Sequence, residues 1–237
     1  MRADPPESRV ADGAADPADT LLGMSDTRER LMAAAISLMK RQGISGVSAR
    51  TIAAECGANQ ALVFYHFKTV EGLLAAAAVR ETENRLALYR PALAAAGSLR
   101  ELLRVGRELH ETERADGSVA LLGQFLAGAS TYPQLAEASV AALRLWTDEV
   151  EAVLLRLFAD HPLAELLDLP GLARAVSASF IGLELYEGVD PAGAAAAFEA
   201  LDRLGVLVEV VDGLGPVANR AVRTALRRSA ARTANGG

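Results

Sequence analysis

The sequence is poor in the residues that build disulfide and metal sites. Its 237 residues include one cysteine and three histidines, so an intramolecular disulfide is excluded and no cysteine cluster is available for zinc. The histidines, His66, His110 and His161, form no ligand pair at helical spacing. No G-x-S-x-G motif, phosphate-binding loop or dinucleotide fingerprint occurs either. These absences predict a protein without a metal, a cofactor or catalytic residues.

The sequence also lacks the signals of export and membrane insertion. No apolar run approaches the roughly 20 residues that a membrane-spanning helix needs. The N-terminal residues 1–24 carry five acidic residues and no apolar core, so they do not form a secretory signal. We therefore expect a cytoplasmic protein that does not contact a membrane. Because residues 1–24 are rich in Ala, Asp, Pro and Gly and lack helical periodicity, we predict a disordered tail there.

Aromatic residues are scarce at 5%, whereas hydrophobic residues make up 51% of the chain. This composition is typical of a globular, alanine-rich helical protein large enough to bury a core. The formal net charge is −6, which argues against unspecific coating of nucleic acid. Residues 25–74 nonetheless hold six basic and four acidic residues. This locally basic module is compatible with binding at a specific site.

A helix-turn-helix pattern occupies residues 47–74. Ser48 stands where the N-cap of a helix is expected, and Gly57 can adopt the left-handed conformation that ends this helix. Asn59 and Thr69 can cap the next two helices through their side-chain oxygens. The buried face of the first of these helices is expected to hold Ile52, Ala53 and Cys56. The lone cysteine is therefore interpreted as a small buried hydrophobic residue and not as a redox switch.

This stretch resembles the DNA-binding domain of the TetR family of transcriptional regulators. The family pattern runs through T-x-x-x-I-A, G-V-S, L-Y-x-H-F and S-K-E-x-L-L. The corresponding segments here are SARTIA (48–53), GAN (57–59), VFYHF (63–67) and TVEGLL (69–74). The resemblance covers the segment from Thr27 to Ala78. It departs from the family at Phe64, where a tyrosine is usual, and at Val70, where a lysine is usual.

The resemblance implies which residues contact DNA. Those facing base edges would be Arg50, Gln60, Ala61 and Leu62. Those meeting phosphates would be Ser48, Phe64, Tyr65 and Thr69, with Lys68 as an added phosphate contact. Asn59 and His66 complete the predicted site. We expect Tyr65, Lys68 and the Thr69 amide to take the place of the tyrosine hydroxyl and the lysine that the family usually has at the two departing positions.

Helical patterns fill the rest of the chain. A first helix is predicted over 27–42 and a fourth from Thr69 to about Tyr89, where Pro91 should end or kink it. Further helices are predicted over 99–113, 119–129, 135–158, 172–186, 192–211 and 217–232. We prefer helix over strand for 206–211 because the spacing of its apolar residues is helical and no partner strand is evident.

We predict an all-α fold with an N-terminal three-helix helix-turn-helix DNA-binding domain and a larger C-terminal helical domain. The DNA-binding domain would span 25–74 and the effector-binding and dimerisation domain 75–215. A basic helix and tail would follow over 216–237. Five arginines without an acid occur in this tail. They are compatible with phosphate contact, but we favour a solvated helix whose charge complements its own dipole and the acidic protein.

Polar and aromatic residues among the aliphatic ones are the candidates for effector contact. They are His110, Gln124, Phe125, Trp146, Phe180 and Glu184. Each has a plainer interpretation: the three aromatic residues as ordinary core, and His110 as a solvated residue of the polar stretch ELHETER. Gln124 and Glu184 lie in largely apolar helices, where a buried polar group needs a partner.

The sequence thus predicts a homodimeric regulator of transcription, most simply a repressor. It would bind a double-stranded DNA operator and an unidentified small-molecule effector. Two recognition helices about 34 Å apart can read a palindrome, and we expect the helices over 172–186 and 192–211 to form the dimer interface. The alternatives are a helical protein-interaction module with a degenerate helix-turn-helix, and a small-molecule enzyme on a helical bundle.

Overall fold

The computed structural model describes residues 17–159, 161, 164, 167–212 and 224. Within these residues the secondary structure is helical and no strand occurs, which confirms the predicted all-α class. The helices are α1 (Pro17–Gln42), α2 (Ala49–Glu55), α3 (Gln60–Phe67), α4 (Val70–Ala95), α5 (Leu99–Asp116), α6 (Ser118–Ala129), α7 (Pro133–Leu157), α8 (Leu169–Glu187) and α9 (Pro191–Asp212). Apart from residue 224, the helix predicted over 217–232 lies outside the described residues, as do residues 1–16 of the predicted tail.

Helix α1 begins ten residues before the predicted start at Thr27, so residues 17–24 of the predicted disordered tail are helical. Proline is compatible with the first turn of a helix, and the single Gly23 costs the helix only about 1 kcal/mol. The missing apolar periodicity was therefore a poor guide to the helix start. The predicted apolar stripes of α1 are confirmed, because they are buried in the N-terminal core. These residues are Leu31, Met32, Ala35, Ile36, Leu38 and Met39.

Helix α4 is the central element, packed against α1 at its beginning and against α7 further along. It continues through Pro91 to Ala95, so it does not end near Tyr89, and the alternative of a kink at Pro91 stays a prediction. Although Pro91 lacks the N–H that a helix interior uses, the last turn is held from outside. Arg156 donates hydrogen bonds to the carbonyl groups of Leu93, at 3.0 Å, and Ala96, at 2.8 Å. Both of these residues are buried.

Two hydrophobic clusters lie along α4. The first is formed mainly by α1 to α4 and also includes Leu121 and Phe125 of α6 and Leu135 of α7. The second joins the C-terminal half of α4 to α5, α7 and α8. The first cluster thus continues from the helix-turn-helix into the following helices.

Among the described residues, no single helix has the length and apolar character that crossing a membrane requires. The pair α3 and α4, bent by 71°, passes the same test together by length and composition only.

Candidate nucleic-acid interface and ligand cavity

Helix α2 begins with a closed capping box. The Ser48 hydroxyl accepts a hydrogen bond from the Thr51 N–H at 3.1 Å, and the Ser48 N–H donates to the Thr51 hydroxyl at 2.8 Å. This confirms Ser48 as the N-cap. Because the box satisfies two backbone donors that would otherwise need water, it fixes the start of α2. Arg50, one position into the helix, is exposed.

Helix α3 is short and presents one face to solvent. Asn59 caps it, as predicted, by accepting from the Ala61 N–H at 2.8 Å. Val63 and Phe67 anchor the opposite face in the N-terminal core, and Leu62 is half-buried against it. The exposed residues of α3 and its flanks are Asn59, Gln60, Ala61, Phe64, Tyr65 and Lys68. This places most of the predicted DNA contacts on one accessible surface.

The junction between α3 and α4 is tight. Lys68 has a φ of +66°, and the Thr69 N–H donates to the Phe67 carbonyl at 2.8 Å across it. This is a γ-turn with a positive φ, which is strained for a residue other than glycine. Thr69 then caps α4 by accepting from the Gly72 N–H at 2.9 Å, as predicted. Lys68 is exposed at this junction, directly after α3.

Two aromatic side chains of α3 are exposed to an unusual degree. Phe64 is 45% and Tyr65 60% exposed, and the Tyr65 ring meets the half-buried His66 edge to face at 5.0 Å. Ser48 is exposed as well, whereas Thr69 and His66 are half-buried. The predicted DNA contacts other than Leu62, His66 and Thr69 are therefore exposed.

Helix α1 supports this surface from behind. Arg30 donates to the Cys56 carbonyl at 2.5 Å, and Arg28 lies over the Phe67 ring at 5.1 Å. Cys56 itself is half-buried and packs against the N-terminal core. These contacts leave Arg50 and Gln60 on the solvent side of the helix-turn-helix.

A cavity of about 430 Å³ lies between α4, α5, α6, α7, α8 and α9. Its walls are mainly aliphatic and aromatic. Four of the predicted effector contacts line it: Phe125, Trp146, Phe180 and Glu184. The size lies within the range of small-molecule sites, which runs from about 300 to 1,000 Å³.

The other two predicted effector contacts do not line the cavity. The Gln124 side-chain oxygen is buried without a hydrogen-bond partner among the described residues, and it lies near Gly43, just beyond α1. His110 is only 4% exposed, so its interpretation as a solvated residue is wrong. It packs behind Phe180, with the ring centroids 6.1 Å apart.

A charged network on one side of the cavity was missed by the sequence analysis. Arg85 of α4 pairs with Glu81 at 3.1 Å, with Glu113 of α5 at 3.3 Å, and with Asp116. The Tyr89 hydroxyl donates to Glu113 at 2.9 Å. Burial and the neighbouring Glu113 raise the pKa of Tyr89 to about 12. Glu113 belongs to the apolar stripe of α5, since it follows Leu109 by four residues, and this spacing was the available signal.

Glu184 lies on α8 and is 5% exposed. Its nearest ion-pairing partner among the described residues is the His110 Nδ1, at 3.6 Å. The other ring nitrogen of His110 lies 2.6 Å from Glu187. Burial, followed by repulsion from Glu113 and Glu187, raises the pKa of Glu184 to about 8. The cavity therefore contains a carboxyl group that is mostly protonated at neutral pH.

Helices α8 and α9 and the turn between them expose large apolar side chains. Leu185, Tyr186 and Val189 are 43%, 51% and 86% exposed, and Val206 of α9 is 41% exposed. An exposed group of this kind on neighbouring helices is typical of a protein interface.

Comparison with known proteins agrees with this architecture. Residues 31–77 match the family model of bacterial regulatory proteins, tetR family. A chain assigned as a transcriptional regulator from Streptomyces coelicolor A3(2) is 28% identical, with a TM-score of 0.60 over 75% of this chain and 97% of that chain. The multidrug binding protein EbrR, solved in complex with imidazole, is 29% identical, with a TM-score of 0.56 over 75% of this chain and 93% of that chain.

A third structure extends the likeness in fold. It is assigned as a TetR-family transcriptional regulator from Rhodococcus sp. and is 22% identical, with a TM-score of 0.65 over 78% of this chain and 98% of that chain. No protein of curated function matches the sequence significantly.

A helix-turn-helix followed by a helical domain with a mainly apolar cavity is the architecture of a DNA-binding transcriptional regulator with a ligand-binding domain. The N-terminal domain of this chain belongs to the TetR family of bacterial regulatory proteins, and the described chain has that family's fold.

Proposed function

We propose that the protein is a homodimeric repressor that leaves a palindromic operator when a small molecule enters the cavity. The observation that carries this proposal is the position of α4. Its first turn adjoins α3, and its later turns supply Ala78, Glu81, Thr82, Arg85 and Leu93 to the cavity wall. A ligand that shifts α4 would therefore also shift the DNA-reading surface.

The exposed residues of α2 and α3 support two kinds of DNA contact, to base edges and to phosphates. Arg50 and Gln60 would donate hydrogen bonds to base edges, and Ala61 or Leu62 would offer apolar contact. Ser48, Tyr65, Lys68 and the Thr69 amide would fix the register on phosphates. Asn59, Phe64 and His66 would complete the DNA contacts.

The exposed apolar residues of α8 and α9 support a dimer through these helices. A second copy would cover them and place two α3 helices on successive major grooves. Concentration-dependent sedimentation tests this step. Replacing Val189 with Asp should shift the protein toward monomer, whereas Val140→Asp, at another exposed apolar position, should leave the dimer intact.

The cavity supports regulation by a small molecule. EbrR was solved in complexes with imidazole and with proflavin, so a protein of this fold accepts such compounds. To act as an inducer, a ligand must prefer the arrangement that does not bind DNA. Complete switching takes roughly 10⁴-fold differential affinity.

The decisive experiment selects bound duplexes from a random DNA pool at near-physiological salt. A palindromic site supports the proposal, and its affinity is then measured with and without cavity ligands. Unchanged affinity at saturating ligand would contradict induction.

The exposed Phe64 and Tyr65 favour one other candidate, a protein-interaction module with a degenerate helix-turn-helix. The same selection separates the two, since this module would enrich no DNA while folded and dimeric.

A further inference from the structure

The acidic residues around the cavity differ in the partners that their carboxylate groups have. Glu81 and Glu113 line the cavity but both pair with Arg85, and Glu113 also accepts a hydrogen bond from Tyr89. Both carboxylates therefore already have a cationic partner within the protein. A ligand would have to break these pairs to use either carboxylate.

Glu184 has one ion-pairing partner among the described residues, the His110 imidazole, and at a longer distance. It lines the cavity from α8, and none of the described residues lies within hydrogen-bonding distance of its carboxylate; His110 Nδ1 is nearest at 3.6 Å. The His110 ring is already bound to Glu187 through its other nitrogen. A buried carboxyl group with unused hydrogen-bonding capacity is costly unless a partner is supplied.

The surroundings of Glu184 are suited to an organic cation. The cavity wall includes the rings of Trp146, Phe180 and Phe198, whose faces attract positive charge. Most of the remaining lining is aliphatic, so it would accept an apolar body but offers few groups to an anion. The one basic residue among the described lining residues, Arg85, is held by three acids.

We propose that the cavity takes a hydrophobic organic monocation with a ring-containing body, whose N–H⁺ group donates to Glu184. This inference rests on the proposed function of the cavity as an effector site. It specifies the chemical class of the effector and assigns Glu184 as its charge-recognising residue.

Binding then includes a balanced proton step. The protonated Glu184 loses its proton to solvent, and the resulting carboxylate pairs with the ligand cation, which keeps all of its own protons. Because burial raises the pKa of Glu184 to about 8, binding at pH 7 should release close to one proton. Affinity should rise by roughly tenfold per pH unit from pH 6 toward pH 8 and level off above it.

Other charged groups around Glu184 bear on this pH dependence. His110 and Glu113 lie near it on α5 and Glu187 on α8, while Glu81 and Arg85 line the same cavity from α4. Helices α6 and α7 bring only hydroxyl groups such as Ser118 and Ser139 among their polar lining residues, and α9 brings Phe198 and Leu201.

The test uses two probes of the same shape on the full-length protein. They are 1-naphthylmethylammonium and the neutral 1-naphthylmethanol, titrated calorimetrically between pH 6 and pH 8 in two buffers of different ionisation enthalpy. We expect the ammonium probe to bind roughly 10- to 100-fold more tightly at pH 8 and to release a proton at pH 7. Equal affinities, tighter binding of the alcohol, or no binding of the ammonium probe would overturn the proposal.

Two matched variants distinguish the specific effect of Glu184 from the general effect of removing one negative charge. Glu184→Gln should abolish the preference for the cation and the proton release. Glu199→Gln, at an exposed position of α9 outside the cavity lining, should keep both within about threefold. Loss of preference in Glu199→Gln as well would overturn the assignment. If Glu184→Gln does not fold, proton release by the wild-type protein decides.

These measurements need no DNA, so their outcome does not depend on whether the protein binds an operator. A cavity that prefers neutral ligands would overturn the charge assignment, while operator release by such ligands would still support a regulated repressor. Cation binding without any operator recognition would support the charge assignment and contradict the proposed repressor function.

Discussion

Arg50 and Lys68 are both exposed cations beside α3, but we predict different effects on DNA binding. Arg50 would pair with a base, so Arg50→Ala should cost roughly 1 to 3 kcal/mol and relax the preference at one position. Lys68 would contact a phosphate, so Lys68→Ala should weaken binding to all DNA sequences alike. It should also reduce the salt dependence of the binding affinity by about one counterion. The measurement is titration of the selected operator and its single-base variants at two salt concentrations.

Alanine is the suitable replacement at Lys68 because it leaves the backbone constraint unchanged. A glycine would relieve the strain of the φ of +66° and mix a stability effect with the removal of the charge. An Arg50→Ala variant that loses affinity equally for every sequence would contradict the base contact.

Glu184 should also make the stability of the protein depend on pH. Its pKa in the folded protein is about 8, compared with an ordinary value of 4.5. Between these values the unfolded chain loses the proton while the folded protein retains it, so the unfolded state binds fewer protons and stability falls as pH rises. The loss should approach a few kcal/mol by pH 8, on the order of the pKa difference.

Urea unfolding of the wild-type protein and of Glu184→Gln at pH 5.5 and pH 8 measures this effect. The variant should lose less stability than the wild-type protein over this interval. Parallel losses in the two proteins would show that other groups cause the pH dependence.

Within helix α4, we predict that replacing Pro91 increases the stability of the protein. It is exposed and lies inside α4, where it removes a backbone hydrogen bond. Pro91→Ala restores that N–H, and the gain should exceed the entropy that alanine returns to the unfolded chain. We expect about 1 to 2 kcal/mol of added stability in urea unfolding.

Pro133 is the matched control, because it stands in the first turn of α7, where no N–H is needed. Pro133→Ala should therefore be neutral or slightly destabilising. A similar gain in both variants would mean that the position of Pro91 within the helix has no special cost.

The helix-turn-helix could be predicted because its signals are local. Ser48, Asn59 and Thr69 each cap the helix that follows them, and a cap needs only neighbouring residues. The same local reasoning failed for Pro91, because the last turn of α4 is held by Arg156, far along the chain. Local sequence patterns could not show that Arg156 would bind the carbonyl groups at the end of α4.

The cavity required the same kind of distant information. His110 and Glu113 belong to a stretch that looks solvated, yet their partners Glu187 and Arg85 lie 77 and 28 residues away. Glu184 was singled out because a carboxylate in an apolar helix needs a partner. Its place on the cavity wall follows from the packing of α8 on α7 and α9, which no local pattern encodes.

For the whole molecule, a chain of ion pairs joins the helix-turn-helix to the cavity. Lys40, near the end of α1, lies 2.6 Å from Asp116 and 3.4 Å from Glu81. Asp116 and Glu81 also bind Arg85, which lines the cavity. Lys40 is half-buried with 18% of its side chain exposed, so solvent screens these pairs less than ordinary surface pairs. This network is a physical link between the two sites that we propose to be coupled.

Lys40→Met should therefore weaken the coupling between effector and operator more than either affinity alone. The coupling is the ratio of operator dissociation constants at saturating and zero effector, and the variant should reduce it by roughly 2- to 30-fold. Arg80→Met is the control, because it breaks a pair with Glu29 between the same helices, at 2.9 Å but 44% exposed on both sides. If Arg80→Met lowers the ratio as much, general loosening between α1 and α4 is responsible; if neither variant does, the signal travels through the apolar contacts of α6 with α1.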